Sequence, residues 1–190
     1  MEVQTKPGAQ AVSASSALAG LILDKVCEQV ERAEHLLSLI PPDKLDWRPE
    51  MPAAAKPPAR LDELLGHLLE CLGGFCAVLY AFDRERLAHF EGLRSPVQSC
   101  DVNELEALGR RIRIFLHHIQ EGFALLRDQD LSRPIPTVFV PHGEPLLTLL
   151  LSNLEHLTNH KHQLFLYLKM MGAPVATRDL YQWRGKPEGA

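Results

Sequence analysis

The stretch that decides the fold is NLEHLTNHKHQLFLYLKMMGAP, Asn153 to Pro174. Together with the residues before it, it carries two parallel rows at helical spacing. Leu150, Leu154, Leu157, Leu164 and Leu168 form an apolar row, and Leu149, Asn153, His156, His160, Gln163 and Tyr167 form a mostly polar one beside it. Pro145 suits the first turn of such a helix, and Gly172 with Pro174 suits its end, so a helix is predicted from about Pro145 to Met171. Within it, His156 and His160 stand one turn apart, about 40° around the axis and about 6 Å along it. Two imidazoles so placed can bind one ion, because zinc and other borderline divalent metals accept neutral imidazole. Spacing alone is weak support. Nine histidines in 190 residues give about 0.4 such pairs by chance, so the context has to decide.

Working outward, a helix is predicted over Ser16–Ile40, with Leu18, Leu21, Ile22, Val26, Val30, Ala33, Leu37 and Ile40 on one stripe and Pro41-Pro42 as its stop. Residues 41–60 contain six prolines and are read as a long crossover loop. A second helix begins after Arg60 with Leu61, Leu64, Leu65, Leu68, Leu72, Phe75 and Leu79, and is expected to fray before Gly92. Asp101 is the expected N-cap of a third, whose stripe runs from Leu105 to Leu126. Pro134, Pro136, Pro141 and Pro145 then break the chain around Thr137–Val140, a β-branched piece expected to be briefly extended but not a sheet. The predicted fold class is all-α, a four-helix bundle with long Pro-rich crossover loops. Its expected limits are residues 16–183, with a flexible tail at 1–15 and another at 184–190.

Composition narrows the function classes. Apolar residues make up 46% and charged residues 23% of the chain, as in ordinary globular proteins. The net charge is −4 and the densest basic cluster, Arg110, Arg111 and Arg113, fits a solvated helix face, so no nucleic-acid partner is expected. No run reaches the roughly 18–20 apolar residues of a membrane span, and the start of the chain lacks the order of a signal peptide. Cys27, Cys71, Cys76 and Cys100 show neither CxxC spacing nor a secreted pattern. A cytoplasmic protein without a membrane partner is expected.

On the second predicted helix, His67 shares a stripe with Leu64, Leu68, Cys71, Phe75 and Val78, so it is expected to face the interior. A buried imidazole needs a partner. That partner can be a backbone or side-chain group, with His156 and His160 merely half-exposed, or it can be a metal shared with them. Glu70 and Cys71 lie one turn beyond His67, where either could approach such a site. Cys71 reads better as a small buried apolar residue than as a ligand. Gln163 could orient a ligand. Glu155 and Asn159 point off the ligand face. Trp47 and Trp183 read as packing residues, and His35, His89, His117, His118 and His142 read as exposed or hydrogen-bonded, with His142 the first candidate for lining a pocket.

The segments LDWRP and RLDELLGHLLEC (residues 45–49 and 60–71), followed by the two histidines, the basic residue and Gln of the last helix, resemble the DinB-like (DinB/YfiT) metal-binding four-helix bundles. The segment VATRDLYQW (175–183) resembles the group's C-terminal extension, and His162 departs from it, standing where Gly is more usual. The resemblance implies that His67, His156 and His160 hold a divalent ion (Zn, Ni, Mn or Fe), with Lys161 and Gln163 at the basic and amide positions. It also implies a small-molecule substrate, in some relatives a low-molecular-weight thiol such as mycothiol or bacillithiol in transfer or isomerisation and in others the substrate of a metal-dependent hydrolase, and it allows a homodimer. The competing expectation is a non-catalytic metal-binding or stress-associated bundle. No GxSxG, P-loop or dinucleotide fingerprint is present.

Overall fold

The computed structural model describes residues 17–50, 52, 57–93 and 102–184. Among these residues six α-helices follow in order: α1 (Ala17–Leu37), α2 (Leu61–Leu79), α3 (Arg84–Leu93), α4 (Val102–Ala124), α5 (Leu146–Met170) and α6 (Thr177–Leu180). A two-residue antiparallel pair, β1 (Pro134–Ile135) and β2 (Glu144–Pro145), precedes α5. The four long helices close a ring of contacts, in which α2 packs on α4 and α5, and α1 packs on the same two. Most of the apolar stripes read from the sequence meet inside that ring, but on α1 Leu18 and Leu21 are exposed, and Leu36 is enclosed where Leu37 was expected. Val26, Leu36, Leu65, Phe75, Phe115, Ile119, Leu150 and Leu164 are all fully enclosed. Burial of each such side chain contributes roughly 1.5–3 kcal/mol before conformational entropy is counted.

The helix ends show where local chemistry prevailed over simple periodicity. The first helix stops at Leu37 rather than Ile40. Bonds from the Ser38, Leu39 and Ile40 N–H groups to the carbonyls three residues back tighten the last turn ahead of Pro41-Pro42. The second predicted helix divides in two. It ends at Leu79, and α3 restarts after Asp83, whose carboxylate accepts the Arg86 N–H at 3.1 Å as an N-cap does. At Thr137–Val140 the chain turns instead of extending, with the Val140 N–H on Thr137 Oγ1 at 3.0 Å, and the paired residues lie on either side of the expected piece. Gly143, at φ +90°, lets the chain return, since a Cβ there would sit 3.0 Å from Pro134 Cβ. Pro145 sits just before α5. The helix ends in a Schellman motif, in which Gly172 adopts φ +79° and the Ala173 N–H reaches the Leu168 carbonyl at 3.0 Å. Asp101, Cys100, the expected tail at 1–15, residue 16 and residues 185–190 lie outside the described residues.

The Pro-rich crossover is anchored where it matters. Two N–H groups in the first turn of α2, which have no partner inside the helix, are met from the crossover: Leu61 N–H bonds the Trp47 carbonyl at 2.8 Å and Asp62 N–H the Leu45 carbonyl at 2.9 Å. Asp62 and Glu63 place negative charge at the same helix end, where the dipole favours it. Helices α2 and α5 run antiparallel, as three contacts spaced along them show. Ala59 meets Tyr167, His67 meets His156 and His160, and Gly74 meets Asn153. No described helix is long and apolar enough to cross a membrane.

Candidate metal centre

The α2–α5 seam brings together the three histidines singled out from the sequence. Their ring centroids are 5.0 Å apart for His67–His156, 4.5 Å for His67–His160 and 4.7 Å for His156–His160. Gly74 contributes by its size. A Cβ there would stand 3.0 Å from Asn153 Oδ1, so the bare backbone makes room for the Asn153 amide of α5 two turns beyond His67.

Hydrogen bonds fix which nitrogens face each other. His67 Nδ1–H donates to Glu70 Oε2 at 2.6 Å, which leaves its Nε2 to accept the His156 Nε2–H at 3.2 Å, and an ion in the seam would take the place of that proton. His160 Nδ1–H donates to Gln163 Oε1 at 2.9 Å, which leaves its Nε2 bare. The chain of bonds continues outward. Gln163 Nε2 donates to the Tyr167 hydroxyl at 3.1 Å, and that hydroxyl donates to the Ala59 carbonyl at 3.0 Å. Trp47 holds Tyr167 from the side, edge to face, with centroids 5.4 Å apart. The crossover therefore sets the orientation of His160 through two side chains, the kind of support that metal-ligating histidines use.

The donor set and spacing fit a divalent ion. Two imidazole nitrogens each about 2.0–2.1 Å from one ion stand about 2.9–3.4 Å apart for octahedral to tetrahedral angles, and the His67–His156 separation falls in that interval. Among the described residues, His67, Cys71, His156 and His160 form one group that could hold a metal, with one potential ligand atom from each and all of these within 4.8 Å of one another. Partial burial of the His156 ring holds its pKa below the usual histidine value, and His160 and His67 push it the same way while Glu70 opposes them. The neutral form, which metals require, is thereby favoured.

The setting differs from the expected interior position. The His67 side chain is 39% exposed and His156 is exposed, so the rings form a rim on the seam instead of a core cluster. At the rim Nδ1 can reach the carboxylate of Glu70, itself half in water, without the penalty of burying that charge. Cys71 lies beneath, 2% exposed, and burial with the Glu70 charge pushes its thiol up to about 12. It is the buried residue that its place on the stripe suggested, and it also belongs to the donor group, which apolar patterning alone could not reveal.

The other singled-out residues lie elsewhere. Glu155 and Asn159 are exposed, and so is His142, on the turn between β1 and β2. His35 bonds Asp179 of α6 at 3.2 Å, and Trp183 stacks on Arg32 at 4.8 Å, which leaves Trp183 in packing rather than in the site. Lys161 points away from the rim into the protein, where its ammonium donates to Gln29 Oε1 at 2.6 Å, and burial lowers its pKa to about 8. A groove of about 810 Å³ runs between α1, α4 and the C-terminal segment, past His35, Arg113 and Trp183, on the opposite edge of the helix ring from the three histidines.

No family model matches the chain, and no curated protein matches it. Among solved structures it is similar to the crystal structure of a DinB-like protein, YjoA of Bacillus subtilis, with a TM-score of 0.60 and 19% sequence identity over 86% of this chain and 99% of that one. The chain therefore has the mostly helical DinB-like fold.

Proposed function

We propose that this chain is a DinB-like four-helix-bundle protein with Pro-rich crossovers that holds one divalent ion through His67, His156 and His160 and uses it on a small molecule. The observation that carries this reading is the convergence of three imidazoles from two helices, with Nδ1 of His67 engaged by Glu70 and that of His160 by Gln163, so that the other nitrogen of each is left to the group that could hold a metal. A divalent ion there supplies Lewis acidity and an exchangeable coordination position, as in catalytic rather than closed sites. The chain's own residues do the rest. Glu70 and Gln163 hold two rings in the binding tautomer, Tyr167 and Ala59 hold Gln163, and the exposed side of His156 leaves the rim open to a substrate.

The reaction classes this supports are thiol-dependent transfer or isomerisation and hydrolysis, in a cytoplasmic protein that could pair as a homodimer. A non-catalytic metal-binding protein is the second reading, and the nearness of Cys71 favours it, because a fourth protein donor closes a site. Elemental analysis of the purified protein tests the metal: about one divalent ion per chain is expected, lost in His156→Ala and His160→Ala. Wild type without metal after incubation with Zn²⁺ or Ni²⁺ would overturn the proposal. Titration of the loaded protein with low-molecular-weight thiols separates the transferase branch from the hydrolase branch, since the former requires binding.

A further inference from the structure

Resting on the metal-binding reading above in its second, closed form, we propose that Cys71 is a fourth protein donor, so that the site is a one-cysteine, three-histidine set that selects a thiophilic divalent ion of the zinc class over manganese. Cys71 stands one helical turn after His67 on α2, so both side chains project toward α5. Its sulfur lies within 4.8 Å of the nitrogens of all three histidines. In a tetrahedral site with sulfur at about 2.3 Å and nitrogen at about 2.0–2.1 Å from the ion, the sulfur–nitrogen separation is about 3.6 Å. Closing the group to that size takes a contraction of at most about 1.2 Å in any sulfur–nitrogen separation.

Burial supplies the second argument. The rings form the rim, with His156 exposed and His67 and His160 half-exposed, whereas Cys71 is buried at 2%. The sulfur is thus offered from the buried side of the group, and in a four-coordinate site it would take the position that three histidines alone leave to water. A soft donor in that place changes the preference among ions, because thiolate favours zinc and imidazole accepts it, while manganese prefers oxygen ligands. Cys76, five residues further along α2, is also buried but is not part of the donor group, which makes it the internal control.

The test is cobalt substitution of the full chain, read by absorption. Wild type is expected to bind one Co²⁺ with a sulfur-to-cobalt charge-transfer band in the near ultraviolet. Cys71→Ala and Cys71→Ser should keep the cobalt and lose the band, and Cys76→Ala should keep both, with circular dichroism confirming that each variant is folded. In competition dialysis, Cys71→Ala should weaken zinc binding by about tenfold or more while leaving manganese binding unchanged. Cobalt bound by wild type without the charge-transfer band, or a band that survives in Cys71→Ala, would overturn the role of Cys71 and leave the three-histidine site standing. Failure of wild type to bind cobalt at all would overturn both.

Discussion

Among the described residues histidines gather in two places, and one of the two is a group that could hold a metal. On the α2–α5 seam, His67 and His160 each give one ring proton to a side chain on their own helix and turn the other nitrogen inward. At the α3–α4 contact, His89, His117 and His118 also lie close, with ring centroids 5.4 Å apart for His89–His118 and 5.9 Å for His117–His118. There the nitrogens diverge to a carboxylate. His118 Nδ1 and His117 Nε2 both approach Glu121, at 3.1 and 3.6 Å, and Arg86 approaches it as well. Those contacts hold the Glu121 carboxyl below the usual carboxylate range, the His118 hydrogen bond most of all. Ring proximity is therefore a poor guide to ligation, and the direction of the nitrogens separates a set that could hold an ion from a solvated charge cluster.

The contrast can be broken or sharpened by experiment. The largest expected effect is complete loss of stoichiometric metal in His156→Ala, measured by elemental analysis, while His118→Ala keeps it; equal losses in both would erase the distinction between the clusters. Next, Gln163→Leu should weaken metal binding by about 10–100-fold, because it removes the group that fixes the His160 tautomer. Isothermal titration with Zn²⁺ measures this, and unchanged affinity would show that the bond chain from Ala59 to His160 has no influence on the ligand.

Smaller effects concern what lies behind the rim. Gly74→Val should destabilise the protein by about 1–3 kcal/mol, since the added atoms meet Asn153 across the α2–α5 seam. Urea unfolding measures the change, and a neutral result would mean that the seam yields easily. Lys161, on the inner side of α5, has Gln29 as its direct partner, with Glu28, Arg32 and Lys25 of α1 acting on its charge. Its folded pKa, about 8, lies below the ordinary lysine value of 10.5, so between these limits the unfolded chain binds more protons. Stability is therefore expected to rise with pH through that window, by on the order of 1–2 kcal/mol, and Lys161→Met should flatten the rise in urea titrations at pH 7.5 to 10.5. The same slope in wild type and variant would assign it to other groups.

Much of this was legible in the chain. The stripes of α1, α2, α4 and α5 follow from helical period, and the stops at Pro41 and Gly172 follow from the backbone limits of proline and glycine. The break between α2 and α3 had a signal in Asp83, an N-cap residue, but continuous apolar spacing masked it. The membership of Cys71 in the donor group had none, because a buried cysteine on an apolar stripe looks the same whether or not imidazoles from another helix lie over it.

By itself, the sequence determined four long amphipathic helices and placed His156 and His160 on one face, since period and spacing are properties of a single helix. Only the tertiary structure decided that His67 meets them at a rim rather than in the core, that Glu70 and Gln163 direct the ring protons, and that Cys71 lies beneath. Those relations depend on the register of α2 against α5, in which Asn153 seats against Gly74 and the crossover is anchored at Trp47 and Ala59, and no local pattern encodes them.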